Sequence, residues 1–130
     1  MHRLSLALLG AKDAPAGKQA LHFHLREDFA VPHVALRLWA GDEVPAQLRD
    51  KAESMGAPQC GAAAGSPFLG WFGEAADHVR SIALIPLGQT RTLGLLALGS
   101  EDPQRFFAEM GTLYLRRIGE LTAGALAARV

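Results

Sequence analysis

Cysteine is nearly absent: Cys60 is the only one in 130 residues. A lone thiol cannot close a disulfide within the chain, so a reducing compartment is expected. An excess of one charge is missing too. Thirteen Lys and Arg face thirteen Asp and Glu, for a formal net charge of +0. Without a positive surplus there is no broad basic face for a polyanion, and Arg116-Arg117 is the only adjacent basic pair. Nucleic acid is therefore not an expected partner. No apolar run approaches the ~18 residues of a membrane span, so no membrane is expected either. The opening MHRLSLALLGAKDAPA has the order of a signal peptide, but its apolar run from Leu4 to Leu9 is short. The expected location is cytoplasmic.

Several motifs are missing as well. The chain has no G-x-S-x-G elbow, no Walker loop and no H-E-x-x-H helix. His22 and His24 stand two apart, which on a helix turns them about 200° from each other, away from a shared metal. His2, His33 and His78 are scattered. Neither a metal nor a cofactor is expected.

What is present is a globular mixture, 49% hydrophobic and 20% charged. A chain of this length buries roughly two thirds of its unfolded surface, enough for one core. Residues 1–130 are read as a single domain. Two runs in IALIPLGQTRTLGLLALGS, residues 82–100, are apolar at every position. Neither run has a wet face, although successive strand residues point to opposite sides of a sheet. Something must cover both sides.

The remaining pattern supplies candidates. Residues 3–11 suggest a short helix, and Asp13 to Gly17 a break. Leu21, Leu25 and Phe29 form a helical stripe that Pro32 ends. HVALRLW alternates: Val34, Leu36 and Leu38 face one way, and His33, Ala35, Arg37 and Trp39 the other. A helix opens near Pro45 and closes before Gly56, which suits a left-handed cap, and Arg49 can meet Glu53 one turn on. APQCGAAAGSPFLGWFG reads as loop, with a short strand near Phe68 to Phe72. A hairpin with GQTRT at its turn follows. In SEDPQRF, Asp102 is a cap and Pro103 a first-turn residue. A last helix from about Glu109 carries Tyr114, Ile118, Leu121, Ala125 and Ala128 as a heptad-like seam. The order predicts an α+β fold: an antiparallel sheet with the terminal helices on one face and a helix/loop lid over the other.

The phrases SIALIPLG, GLLALGSEDPQRF, MGTLYLRRIGEL and the QCG of residues 59–61 resemble an uncharacterised bacterial family with a GAF-like fold, domain of unknown function 484. The resemblance covers most of the chain and is strongest from residue 79 to about 122. It implies a six-stranded antiparallel sheet with helices behind and a small-molecule pocket in front. Members carry a longer helical N-terminal part, so residues 1–13 are expected to end such a helix. GAF domains sense cyclic nucleotides, tetrapyrroles, amino acids or other small molecules, or simply dimerise.

Enzymatic readings of that fold meet obstacles. GAF-fold methionine sulfoxide reductases resolve an oxidised cysteine through others, and only Cys60 is present. Bilin attachment and the cyclic-nucleotide motif of GAF domains also lack their residues here. The expected activity is therefore non-enzymatic, a sensory or regulatory signalling module.

Its pocket candidates are Arg37, Trp39, Cys60, Phe68, Trp71 and Phe72. An arginine beside an indole can hold an anionic or aromatic ligand. Cys60 is read either as a reactive pocket thiol or as a small buried hydrophobe. The rival to a binding role is a ligand-free structural or dimerisation module, its front filled by Trp39, Phe68, Trp71 and Phe72. A redox sensor built on Cys60 is a third reading. Tyr114, Ile118, Leu121 and Ala125 are candidates for a homodimer interface, with Gly119 and Gly124 permitting close approach to a second copy or to the chain's own sheet.

Overall fold

The computed structural model describes residues 14–88, 91–107 and 113–127. The expected helix at 3–11, the start of the last helix and Ala128 lie outside the described residues. Helix α1 spans Ala14–Phe29, strand β1 His33–Leu38, helix α2 Ala46–Glu53 and strand β2 Gln59–Ala62. A 3-10 helical segment, Leu69–His78, leads into β3 (Ser81–Leu87), β4 (Gly94–Ser100) and helix α3 (Leu113–Ala127). The four strands form one sheet in the order β1-β4-β3-β2, every pair antiparallel. The resemblance implied six strands; the described residues hold four.

Helix α1 runs through the expected break. Pro15 falls in the first turn, where no intrahelical acceptor awaits its missing N–H, so it starts the helix rather than stopping it. The helix stops at Ala30, whose φ of 54° is left-handed. The Val31 N–H then donates back to the Leu25 carbonyl at 3.0 Å, satisfying one of the helix's terminal carbonyls, and Val31 and Leu25 are both buried. Pro32 follows the cap. Helix α2 ends differently from expectation: Ser54 keeps right-handed geometry, its N–H bonded back into the helix, and Gly56 is not left-handed.

The strand expected at Phe68 to Phe72 is absent, and QCG makes the edge strand instead. Cys60 pairs with Ala83, and Gly61 with Ile82. Phe68, Trp71 and Phe72 stand three and four apart, a helical rather than a strand spacing. The Trp71 N–H accordingly donates to the Phe68 carbonyl at 3.0 Å. The Asp102 carboxylate accepts the Gln104 N–H at 2.8 Å, but this closes a turn: residues 101–106 are turn and bend, so the expected cap and first helical turn do not form among the described residues.

Both faces of the sheet are covered. Behind it, Leu36, Leu38, Ala83, Ile85, Leu87, Leu96 and Leu98 pack with Leu21 and Leu25 of α1 and Leu115 and Ile118 of α3. In front, Ala35, Ile82, Leu84, Leu95 and Ala97 pack with Ala52 of α2, Ala63, Phe68 and Val79. β3 and β4 carry no polar face because each is roofed on both sides, which removes the alternation seen in half-exposed strands. Gly119 lets α3 settle closely on β3: a Cβ there would meet Ile85 Cγ2 at 2.7 Å. At Gly88, where the β3–β4 turn begins, φ is 113° and a Cβ would overlap the Arg91 carbonyl.

Candidate functional site

The expected pocket residues separate into three places. Arg37, Phe68 and Trp71 meet on the front face, and Phe72 lies on the same face towards its His33 end. The Arg37 guanidinium lies 5.2 Å from the Trp71 ring centroid, and its Nη1 donates to the Leu36 carbonyl at 3.1 Å. Phe68 stands edge-on to Trp71 at 5.1 Å between centroids and is 1% exposed. Phe72 lies beside His33, 6.4 Å between centroids, with its ring against Gly99. These groups occupy the front with one another: cation–π and edge-to-face contacts take up the arginine and the ring faces.

Cys60 is elsewhere. Its partner across the sheet, Ala83, belongs to the helix-covered face, and Cys60 packs into that same cluster. The expectation that it shares a pocket with Arg37 and Trp39 is therefore corrected; a strand alternates its faces, and Cys60 points backwards. Burial pushes its pKa up, only partly opposed by the Arg105 guanidinium, which keeps the thiol protonated.

Trp39 is the third place, just past the end of β1. Its backbone N–H donates to the Leu93 carbonyl at 2.9 Å, which fixes the residue beside the start of β4. The Arg49 guanidinium of α2 lies 5.4 Å from the indole centroid, so Arg49 takes the ring rather than the expected Glu53. The indole Nε1 is buried and has no hydrogen-bond partner. A buried donor left unpaired costs roughly 1–3 kcal/mol. A cavity of about 390 Å³ opens here, walled by Leu38, Trp39, Ala40, Arg49, Glu53, Arg91, Leu93 and Ala123. That volume falls within the range of small-molecule sites.

Asp42 shapes this end of β1. Its carboxylate accepts the Leu38 N–H at 2.8 Å and pairs with Lys18 of α1 at 3.2 Å. Burial acts to raise its pKa, but the Leu38 hydrogen bond and the Lys18 ammonium outweigh it and hold the carboxyl below its ordinary value. Arg49, Glu53 and Arg91 were not among the expected site residues. Arg49 and Glu53 read as a helix-surface pair, and Arg91 as a turn residue. Only the fold brings α2 and the β3–β4 turn to one place.

The expected dimer seam is partly used within the chain. Ile118 is fully buried against the chain's own sheet, and Tyr114 and Leu121 pack on the same cluster. Tyr114 lies 5.4 Å from Phe29 between ring centroids. Ala125 lies near the end of α3. Among the described residues, no group of three or more His, Cys, Asp or Glu side chains could hold a metal ion. No helix of those residues is long and apolar enough to cross a membrane.

An antiparallel sheet with helices behind and an irregular cover in front defines an α+β domain of GAF-like fold. Twelve chains of solved structures match it. One is the X-ray structure of free methionine-R-sulfoxide reductase from Neisseria meningitidis in complex with its substrate. It is similar at a TM-score of 0.67 and 17% identity, over 97% of this chain and 85% of that one. Such an identity carries the fold and nothing further. The chain belongs to the family described as "Protein of unknown function, DUF484", whose model matches residues 1–129. No curated protein matches it.

Proposed function

We propose that the chain is a non-enzymatic sensory or regulatory domain that binds a small molecule at the Trp39 end of the sheet, under α2. The observation that carries this reading is the cavity itself: about 390 Å³, with the indole of Trp39 on its wall and that indole's N–H buried without an acceptor. A ligand seated there gains the indole as an apolar contact surface, and a small shift of the groups covering the N–H would let the ligand supply its acceptor. Bound there, it orders α2 against the sheet, and the population of that closed arrangement rises by the ligand's differential affinity for it. The solved reductase named above acts on a small amino-acid derivative, free methionine-R-sulfoxide. That neighbour supports a small ligand on this fold, and Cys60 of this chain packs behind the sheet, outside the residues that wall the Trp39 cavity.

Thermal-shift screening with nucleotides, amino acids and tetrapyrroles tests the proposal. A binder present at 100 times its Kd adds about 2.7 kcal/mol and a clear rise in melting temperature. A flat response across the library overturns the reading.

A second reading has its own support. Phe68 at 1% exposure, Trp71 and Arg37 fill the middle of the front with the chain's own groups, as a ligand-free structural module would. That module would pair two copies through the terminal helices. Because Ile118 is taken up by its own sheet, pairing falls to outward residues such as Leu113, 66% exposed, and Phe23, 54% exposed. Light scattering at the monomer mass overturns the dimer.

A further inference from the structure

A second cavity, about 880 Å³, adjoins the first at the β3–β4 turn and shares Glu53, Arg91, Leu93 and Ala123 with it. These walls come from both layers of the fold. Arg49 and Glu53 belong to α2 in front, and Ala123 to α3 behind. Over most of its area the sheet keeps the layers apart, since β3 and β4 are buried on both faces. At this end a single molecule can touch both.

In the larger cavity Arg91 and Arg116 are matched by Glu53 and Glu120, whereas the smaller one is uneven. Two guanidinium groups, Arg49 and Arg91, face one carboxylate, Glu53, in the smaller cavity. No ion pair joins Arg49 or Arg91 to a carboxylate among the described residues. Arg91 and Arg49 are both exposed, and Arg49 also rests on Trp39. Guanidinium forks bind carboxylates and phosphates through paired, charge-assisted hydrogen bonds, and an indole face accepts a flat apolar body.

Resting on the small-molecule reading above, we infer that the site takes a small anion, carboxylate or phosphate, carried on a flat ring. Arg49 and Arg91 hold the anionic group, Trp39 holds the ring, and the bound molecule ties α2 to α3 across the end of the sheet. Ligand occupancy is thereby communicated from the front cover to the terminal helix.

The test uses the Trp71→Phe chain, in which Trp39 is the sole indole. Benzoate and adenosine monophosphate are titrated beside their uncharged counterparts, benzamide and adenosine, by calorimetry and Trp39 emission. The expected result is binding of at least one anion and weaker or no binding of its neutral counterpart. Which anion binds separates a carboxylate from a phosphate ligand. Arg91→Gln and Arg49→Gln should each weaken the binding about tenfold, with Arg91→Lys recovering part of it. Amides of Ile118 to Ala123 in α3 and of α2 should exchange more slowly in the bound form.

Equal binding of the neutral compounds overturns the inference, as does binding indifferent to both arginine replacements or without slower exchange in α3. If none of these anions binds while the broad library yields a neutral ligand, the inference falls and the small-molecule reading survives. If the library is flat too, both fall.

Discussion

Behind the sheet, mainly aliphatic side chains meet two regular helices; in front, aromatic rings and two arginines meet a short helix, a 3-10 segment and loops. The rear has the character of a permanent core. Leu21, Leu25, Leu115 and Ile118 are fully buried, and Gly119 lets α3 settle onto Ile85. The front holds the buried indole N–H that lacks an acceptor, and a cavity beside it. Aliphatic packing against regular helices is non-directional and tolerates no gaps. Aromatic and guanidinium contacts are individually modest and can be exchanged for a ligand's. The difference teaches that stability and binding are divided between the faces of a single sheet.

Substitutions can break that division. Leu115→Ala, at the centre of the rear, should cost the most, about 3 kcal/mol in urea unfolding, with cooperativity across the whole chain. A cost under about 1 kcal/mol would mean that the rear is not the core. Gly119→Val should cost about 2 kcal/mol despite valine's better helix propensity, because its side chain meets Ile85. A neutral or stabilising result would show that α3 can lift from β3. Trp71→Ala should cost about 1–2 kcal/mol and act locally. Hydrogen exchange should speed up over residues 66–78 while α1 and α3 keep their protection. Faster exchange throughout would erase the contrast between the faces.

Two smaller effects sharpen the comparison at the joints between the layers. Asp42 links the end of β1 to Lys18 on α1, and its pKa is lowered in the fold. The unfolded chain then binds the proton more readily, so the contribution is complete above the ordinary carboxylate range and is lost as pH falls through the lowered value. The stability difference between the native chain and Asp42→Asn should therefore shrink on acidification; a difference constant with pH would contradict the assignment. Ala30→Gly should stabilise by about 0.5–1 kcal/mol, since alanine is strained at a φ of 54° and glycine is not. A lower melting temperature would show that the left-handed Ala30 carries no strain.

Much of this was legible in the residues. The unbroken apolarity of Ile82 to Leu87 and Leu93 to Leu98 required cover on both faces, and both covers exist. The alternation of HVALRLW set which β1 residues look forward, and Arg37 and Trp39 do lie on the lid side. Other features were hidden. Phe68, Trp71 and Phe72 have a three-and-four spacing, yet flanking glycines made them resemble a loop strand. Cys60 was misassigned because its facing depends on the register of an edge strand that its neighbours do not signal. Arg49 and Arg91 lie 42 positions apart in sequence, and nothing local to either announces a shared cavity.

Local pattern alone determined the elements and their apolar faces, because periodicity of 2 or 3.6 is a property of neighbouring residues. It thereby determined an antiparallel sheet roofed on both sides. Tertiary structure alone decided that Trp39, Arg49 and Arg91 share one cavity, that Cys60 turns to the rear, and that α3 presents Ile118 to its own sheet. Those outcomes depend on strand register and on how closely helices approach the sheet, which arise only when distant segments pack together.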